Sequence, residues 1–161
     1  MRKAIAVLAL PLLAACTPAR AGSEADAVRQ VVTQHSEALD NRAEATVADS
    51  LFREFLHYEN HFAVSLQEDR YEQVVTKEFA DHDLATRHLG LTWHELSLHD
   101  GANATAQVEA AFEYTSGTEP YLRERGVKLG QSATQRRTIT LVKVEKDWRI
   151  KQVWKQPVNP R

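Results

Sequence analysis

The segment His57-Tyr58-Glu59-Asn60-His61 sets two imidazoles four residues apart with a carboxylate between them. Histidines at that spacing are neighbours on a helix and can clip one metal ion. In the zinc-protease pattern HExxH the glutamate directly follows the first histidine and lies near the metal. Here Glu59 stands two positions after His57, and on a helix turning about 100° per residue it points away from the histidines. That excludes the metalloprotease pattern. His57 falls nearly opposite the apolar side made by Leu51, Phe52, Phe55, Tyr58 and Phe62, and His61 lies at the polar edge on a stripe with Glu54. Two ligands without a third or a supporting shell bind weakly. No metal and no other cofactor is expected, and His57 with His61 is at most a surface clip.

Glu59 shares the apolar side of that helix. A carboxylate buried without a partner costs about 3 to 5 kcal/mol, so Glu59 must find a cation or a donor, or send its head into water. Arg137, on the strand face of Ile139 and Leu141, and the Tyr114 hydroxyl are the partners the pattern offers. His94 alternates with Leu96 and Leu98, which sets it on the inner face of its strand. Glu59, His94, Tyr114 and Arg137 therefore form the candidate pocket. A rival periodicity exists at 56 to 66, where Leu56, Tyr58, Phe62, Val64 and Leu66 alternate as in a strand; His57, Glu59 and His61 would then share one face. Asp81-His82-Asp83 and His88 are metal-type ligands in a run that serves equally as helix exit and loop. The chain has no phosphate-cradling glycine loop, no nucleophile elbow and no reactive cysteine, so no catalytic residue is assigned.

The elements that must position these groups come in two kinds. Ser23 is placed to cap a helix, with Glu24 and Asp26 in its first turn, and Ala25, Val28, Val32, His35 and Leu39 mark one face of it as far as Asp40-Asn41. A second helical pattern runs over 43 to 62, and a third over 70 to 79 turns Tyr71, Val74, Val75 and Phe79 inward. After Gly90 the period becomes two. Leu91 to His99 and Asn103 to Thr115 read as strands joined at Asp100-Gly101, the second with Ala104, Ala106, Val108, Ala110, Phe112 and Tyr114 on one face. Burial of Leu96 and Leu98 favours a three-residue bulged loop, His99 to Gly101, over a two-residue one. Residues 116 to 131 contain Gly117, Pro120, Gly126 and Gly130 and read as a long connection with one helical turn at Glu119 to Arg125. Ser132 to Glu145 and Trp148 to Lys155 form a last hairpin turning at Lys146-Asp147, and Pro157 and Pro160 end it. Helices first and an antiparallel meander second make an α+β layered domain.

Charge is unevenly spread along the 161 residues. Residues 16 to 120 carry seven Lys/Arg against nineteen Asp/Glu, a balance of -12, and residues 121 to 161 carry eleven against three, a balance of +8. Such halves attract each other in the fold, or the basic one faces an anionic partner. The basic half lacks interleaved aromatics, which argues against nucleic acid. Arg136, Arg149, Lys151 and Lys155 fall together as a basic outer sheet face.

At the start, Arg2 and Lys3 precede an apolar run from Ala4 to Leu13 and then small residues. That is the layout of a secretory leader, too short to span a bilayer stably. Leu13-Ala14-Ala15-Cys16 resembles the lipobox of bacterial lipoproteins, which implies removal of residues 1 to 15 and acylation of Cys16, with membrane attachment through the lipid. Cys16 is the only cysteine, so no internal disulfide can form. Residues 16 to 22 then read as the tether, 23 to 156 as one domain, and 157 to 161 as a C-terminal tail.

The order of helices followed by a curved four-stranded meander ending in TLVKVEKDWRIKQVW resembles the nuclear transport factor 2-like superfamily. Within it, LFREFLHYEN followed by RYEQVVTKEF is similar to the helical part of extracytoplasmic domains of conjugation and type IV secretion assembly proteins. The resemblance implies a cone between helices and sheet, an extracytoplasmic location on the bacterial membrane and a protein partner. The superfamily also holds enzymes that work in the cone, so fold alone does not decide activity. The sequence leans towards a non-catalytic binding or assembly module, with a small apolar ligand or an enzymatic use of the cone as the alternative; homo-oligomerisation stays open.

Overall fold

The computed structural model describes residues 22–43 and 77–161. The helical pattern over 44 to 62, the alternation at 56 to 66, Cys16, His57, Glu59 and His61 lie outside the described residues.

Helix α1 (Glu24–Asp40) begins where the sequence places it. The Ser23 hydroxyl accepts from the Asp26 amide at 3.2 Å, and the Asp26 carboxylate accepts from the Ser23 amide at 3.0 Å. This reciprocal capping box satisfies two donors that the first turn leaves orphaned. Val28, Val32, His35, Ser36, Leu39 and Asp40 form the buried side. Residues 77–81 are helical, with Phe79 half-buried beneath the sheet.

Strands β1 (Ala85–His99), β2 (Asn103–Ser116), β3 (Ser132–Val144) and β4 (Asp147–Lys155) pair antiparallel in sequence order. Helix α2 (Glu119–Glu124) lies in the connection between β2 and β3. The architecture is thus α+β, a helix on an open antiparallel meander. The tail does not simply end: β5 (Asn159–Pro160) returns to pair with Ala133 and Thr134 of β3. Proline blocks a ladder only where its missing N–H is needed, and at an edge it is tolerated.

Three features of the sheet differ from the sequence pattern. Strand β1 starts at Ala85, ahead of Gly90, because a register shift between His88 and Gly90 absorbs Leu89, which stays 46% exposed. The first hairpin has its three-residue loop at Asp100 to Ala102, so that Leu98 pairs with Ala104 and Leu96 with Ala106. Leu98, expected to be buried, stays 44% exposed, while the three-residue length is that expected and the position is one residue later. The Asp100 carboxylate decides it by accepting from the amides of Ala102 and Asn103 and from Asn103 Nδ2, with Asp100 and Gly101 both at positive φ. The second hairpin turns at Glu145-Lys146, with Glu145 at φ 57° and Asp147 paired to Val144. That register sets Ile150 opposite Leu141.

Packing falls into two clusters. Under α1, Val28 and Val32 meet Ala104, Ala106, Val108, Ile139, Leu141, Trp148 and Ile150. Alanines on β2 leave room for the helix, while the larger residues of β3 and β4 fill the flanks. At the other end, Leu84, Phe112, Tyr114, Ala133 and Val127 surround Tyr121 and Leu122 of α2. Ile139 is fully buried, so Ile139→Ala is expected to cost about 2 to 5 kcal/mol in urea unfolding of the full chain.

Candidate functional site

Beside the second cluster, which supplies Leu84, Phe112, Tyr114 and Tyr121 to its wall, lies a cavity of about 240 Å³. Leu39, Asp40 and Arg42 border it from the end of α1, and Glu78 and Phe79 from the helical residues 77–81. Phe112 and Tyr114 of β2, Gln135 and Arg137 of β3, and Tyr121 and Arg125 around α2 complete most of the wall. Apolar side chains make up part of this lining, and charged groups and phenols the rest.

One wall is an ion cluster almost closed to water. Arg137 donates through Nη2 to Asp40 Oδ1 at 2.5 Å and through Nη1 to Oδ2 at 3.1 Å, and its Nε donates to Gln135 Oε1 at 3.2 Å. The side chains of Arg137 and Asp40 are 2% and 4% exposed. His88 Nδ1 lies 3.0 Å from Asp40 Oδ2, and the His88 amide donates to Asn41 Oδ1 at 2.8 Å. Burial pushes the Asp40 carboxyl up, but the His88 and Arg137 contacts outweigh it and leave its pKa below the ordinary value. Asp40 is therefore an anion, and the hydrogen-bond network assigns the Nδ1 proton to His88.

The opposite wall is a phenol and carboxylate network. Tyr121 Oη donates to Glu78 Oε1 at 2.7 Å, and Arg125 Nη2 donates to the same oxygen at 2.5 Å. The Arg125 guanidinium lies 4.4 Å over the Tyr121 ring, and His82 packs at 4.6 Å from it. Tyr114 meets Tyr121 edge-on at 6.5 Å. Burial, then the Glu78 carboxylate, push the Tyr121 phenol well up, and burial raises Tyr114 as well. Both phenols therefore stay protonated at neutral pH and border the cavity as neutral groups.

Of the sequence-derived pocket, Tyr114 and Arg137 do meet at this cavity. His94 does not. A register shift between Trp93 and Glu95 makes it the extra residue of a bulge, so Leu91, Trp93 and Leu96 turn towards the core and His94 is exposed. The ligand Arg137 actually takes is Asp40, a residue that sequence reasoning treated only as a helix end. Its signal was present: Val28, Val32, Ser36 and Asp40 form one i, i+4 ridge. The Asp81, His82, Asp83 and His88 group disperses, with Asp81 on Lys77, His82 on the Tyr121 ring, Asp83 accepting from Ser116 and His88 on Asp40. Among the described residues, no three His, Cys, Asp or Glu side chains are grouped to hold a metal.

His35 sits one helical turn before Leu39 and is 1% exposed. Burial first, and then the charges of Lys155, Arg137 and Arg42, lower its pKa to about 3 against an opposing pull from Asp40. No family model matches the chain, and no curated protein does either.

Two outcomes are expected. Arg137→Met leaves Asp40 buried without its main partner and should cost about 3 to 5 kcal/mol in urea unfolding. His35 is neutral in the fold and protonates in the unfolded chain from pH 6.5 downward, so its contribution is complete above pH 6.5 and is lost progressively as pH falls towards about 3. Unfolding midpoints measured across that window should drop steadily for the native chain and more shallowly for His35→Leu.

Proposed function

We propose that this protein is a lipid-anchored, extracytoplasmic binding module of the bacterial envelope, in which a nuclear transport factor 2-like cone serves recognition and not catalysis. The leader and the Leu13-Ala14-Ala15-Cys16 segment support the anchor, since two or more acyl chains hold a protein firmly on a bilayer where one does so marginally. Among the described residues no helix is long and apolar enough to cross a membrane. In this proposal the cavity between α1 and α2 is the mouth of the cone.

The observation that carries the non-catalytic part is how the acids at that mouth are used. Both oxygens of Asp40 are committed to Arg137 and His88, and Glu78 holds Tyr121 and Arg125. A general acid or base needs a proton it can release or take within reach of substrate; these carboxylates instead fix the walls. A rigid mouth of that kind suits a protein partner in an assembly such as those of secretion or conjugation. Crosslinking in intact membranes followed by purification should recover the protein joined to a different envelope protein. Recovery of the protein uncrosslinked under all conditions would overturn the proposal, and recovery joined only to itself would replace it with a homo-oligomer.

A second function is favoured by the apolar share of the lining, Leu39, Phe79, Leu84 and Phe112. It is the binding of a small apolar ligand in the 240 Å³ cavity. Native mass spectrometry of the protein taken from membranes should then show a bound small molecule that Phe112→Trp displaces. An unliganded mass in all preparations would exclude it.

A further inference from the structure

We propose that a groove beside α2 is a second binding site, for a single-chain amphiphile with an aliphatic body and an anionic head. It is separate from the 240 Å³ cavity and does not depend on the lipid anchor.

The groove has a volume of about 490 Å³ and is formed by the connection between β2 and β3. Leu122 of α2, Val127 and Leu129 give it apolar walls, and Glu119, Arg123 and Lys128 stand around them. It shares no described lining residue with the smaller cavity: Tyr121 borders that one, and Leu122, its neighbour on α2, borders the groove. Sites for small molecules commonly hold about 300 to 1,000 Å³, so the groove has room for an aliphatic chain.

The backbone fixes these walls in advance. Helix α2 ends in a Schellman arrangement, with Gly126 at φ 67°, in which the Gly126 amide donates to the Arg123 carbonyl at 3.1 Å and the Val127 amide to the Leu122 carbonyl at 2.9 Å. That closure sets Val127 beside Leu122 in the second cluster. The chain then returns along β2, where Leu129 bridges to Tyr114 and the Gly130 amide donates to the Tyr114 carbonyl at 3.0 Å. The Gln131 amide closes the turn on the Lys128 carbonyl at 3.2 Å. The Leu129 backbone is thus held on both sides, yet its side chain stays 53% exposed. An apolar wall ordered before the ligand arrives loses little conformational freedom on binding.

The charges beside the walls select the head group. Arg123 meets Glu119 at 3.4 Å, one helical turn away, with both side chains largely in solvent. An exposed pair of that kind contributes little and gives way easily to a better-placed anion. Lys128 is exposed, and among the described residues its ammonium meets no acid. Glu119 is the one acid among the described lining residues, set against Arg123 and Lys128. One positive charge is therefore left over beside an aliphatic surface. That arrangement complements a carboxylate at the end of an aliphatic chain and disfavours a cationic head on the same chain.

The test uses the full chain in phosphatidylcholine vesicles and two photoactivated probes, dodecanoate with a diazirine in its chain and a trimethylammonium amphiphile with the same chain and diazirine. After irradiation, peptide mass spectrometry should place the carboxylate label within residues 117–129, and excess plain dodecanoate should suppress it. The cationic probe should label that stretch several-fold less. Leu129 and Lys128 are both exposed, so Leu129→Ser and Lys128→Glu leave the fold in place. Each should lower the carboxylate labelling several-fold, and Lys128→Glu should reverse the preference between the two heads. Phe112→Trp should leave the labelling unchanged. Label spread along the whole chain, equal labelling by both heads, or labelling indifferent to both groove variants overturns the proposal. Label on β2 around Phe112 that Phe112→Trp removes belongs to the smaller cavity; it supports the second function proposed for that cavity and overturns the groove assignment. A photocrosslinker at position 129 that captures a protein in native membranes assigns the groove to that protein and overturns the amphiphile.

Discussion

The Asp40 carboxylate and the Arg137 guanidinium, both nearly out of reach of water, join the last turn of α1 to the middle of β3. Taking two charges from water costs several kcal/mol each, and only close geometry with further hydrogen bonds offsets it. Here Gln135 takes the remaining side of the guanidinium and His88 takes a carboxylate lone pair, which draws in β1 as well. Three elements therefore meet at one charge pair, and α1 can lie on the sheet in only one register if that pair is to form. The hydrophobic contacts of Val28 and Val32 drive the helix onto the sheet; being non-directional, they do not choose its position along the strands. The ion pair does.

The same principle explains the separation of charge along the sequence. Glu24 meets Lys143, Asp40 meets Arg137, Glu78 meets Arg125, and Glu109 meets Arg136 and Arg161. Each pair takes its acid from the first part of the chain and its base from the last. In these pairs the acidic and basic stretches neutralise one another through the fold. Most of these pairs are exposed and contribute little individually. Their value lies in consistency, since every one of them favours the same arrangement of α1, the helical residues 77–81 and the meander.

Much of this was legible in the chain. Ser23 with Asp26 announced the start of α1, the alternation of Ala104 to Tyr114 announced β2, and Gly117, Pro120, Gly126 and Gly130 announced the connection that holds α2. What escaped has a common cause, which is that a single inserted residue changes the phase of a strand without leaving a compositional mark. The bulge at His94 moved that residue from the presumed inner face to solvent, and the one at Leu89 hid the beginning of β1 behind a glycine that looked like a boundary. The Arg137 partner escaped for a different reason. Periodicity marks which residues turn inward, and Asp40 satisfied it, but a carboxylate there reads as a helix end until the cation that faces it is known.

The double-mutant cycle of Asp40→Leu and Arg137→Met, followed by equilibrium urea unfolding of the full chain at pH 7, tests the central claim most directly. If the pair fixes α1 on the sheet, the two losses are strongly non-additive, with a coupling of about 1 to 3 kcal/mol and a double variant less impaired than the sum of the singles. Additive losses would mean that Asp40 and Arg137 stabilise the fold independently, and that packing alone positions the helix.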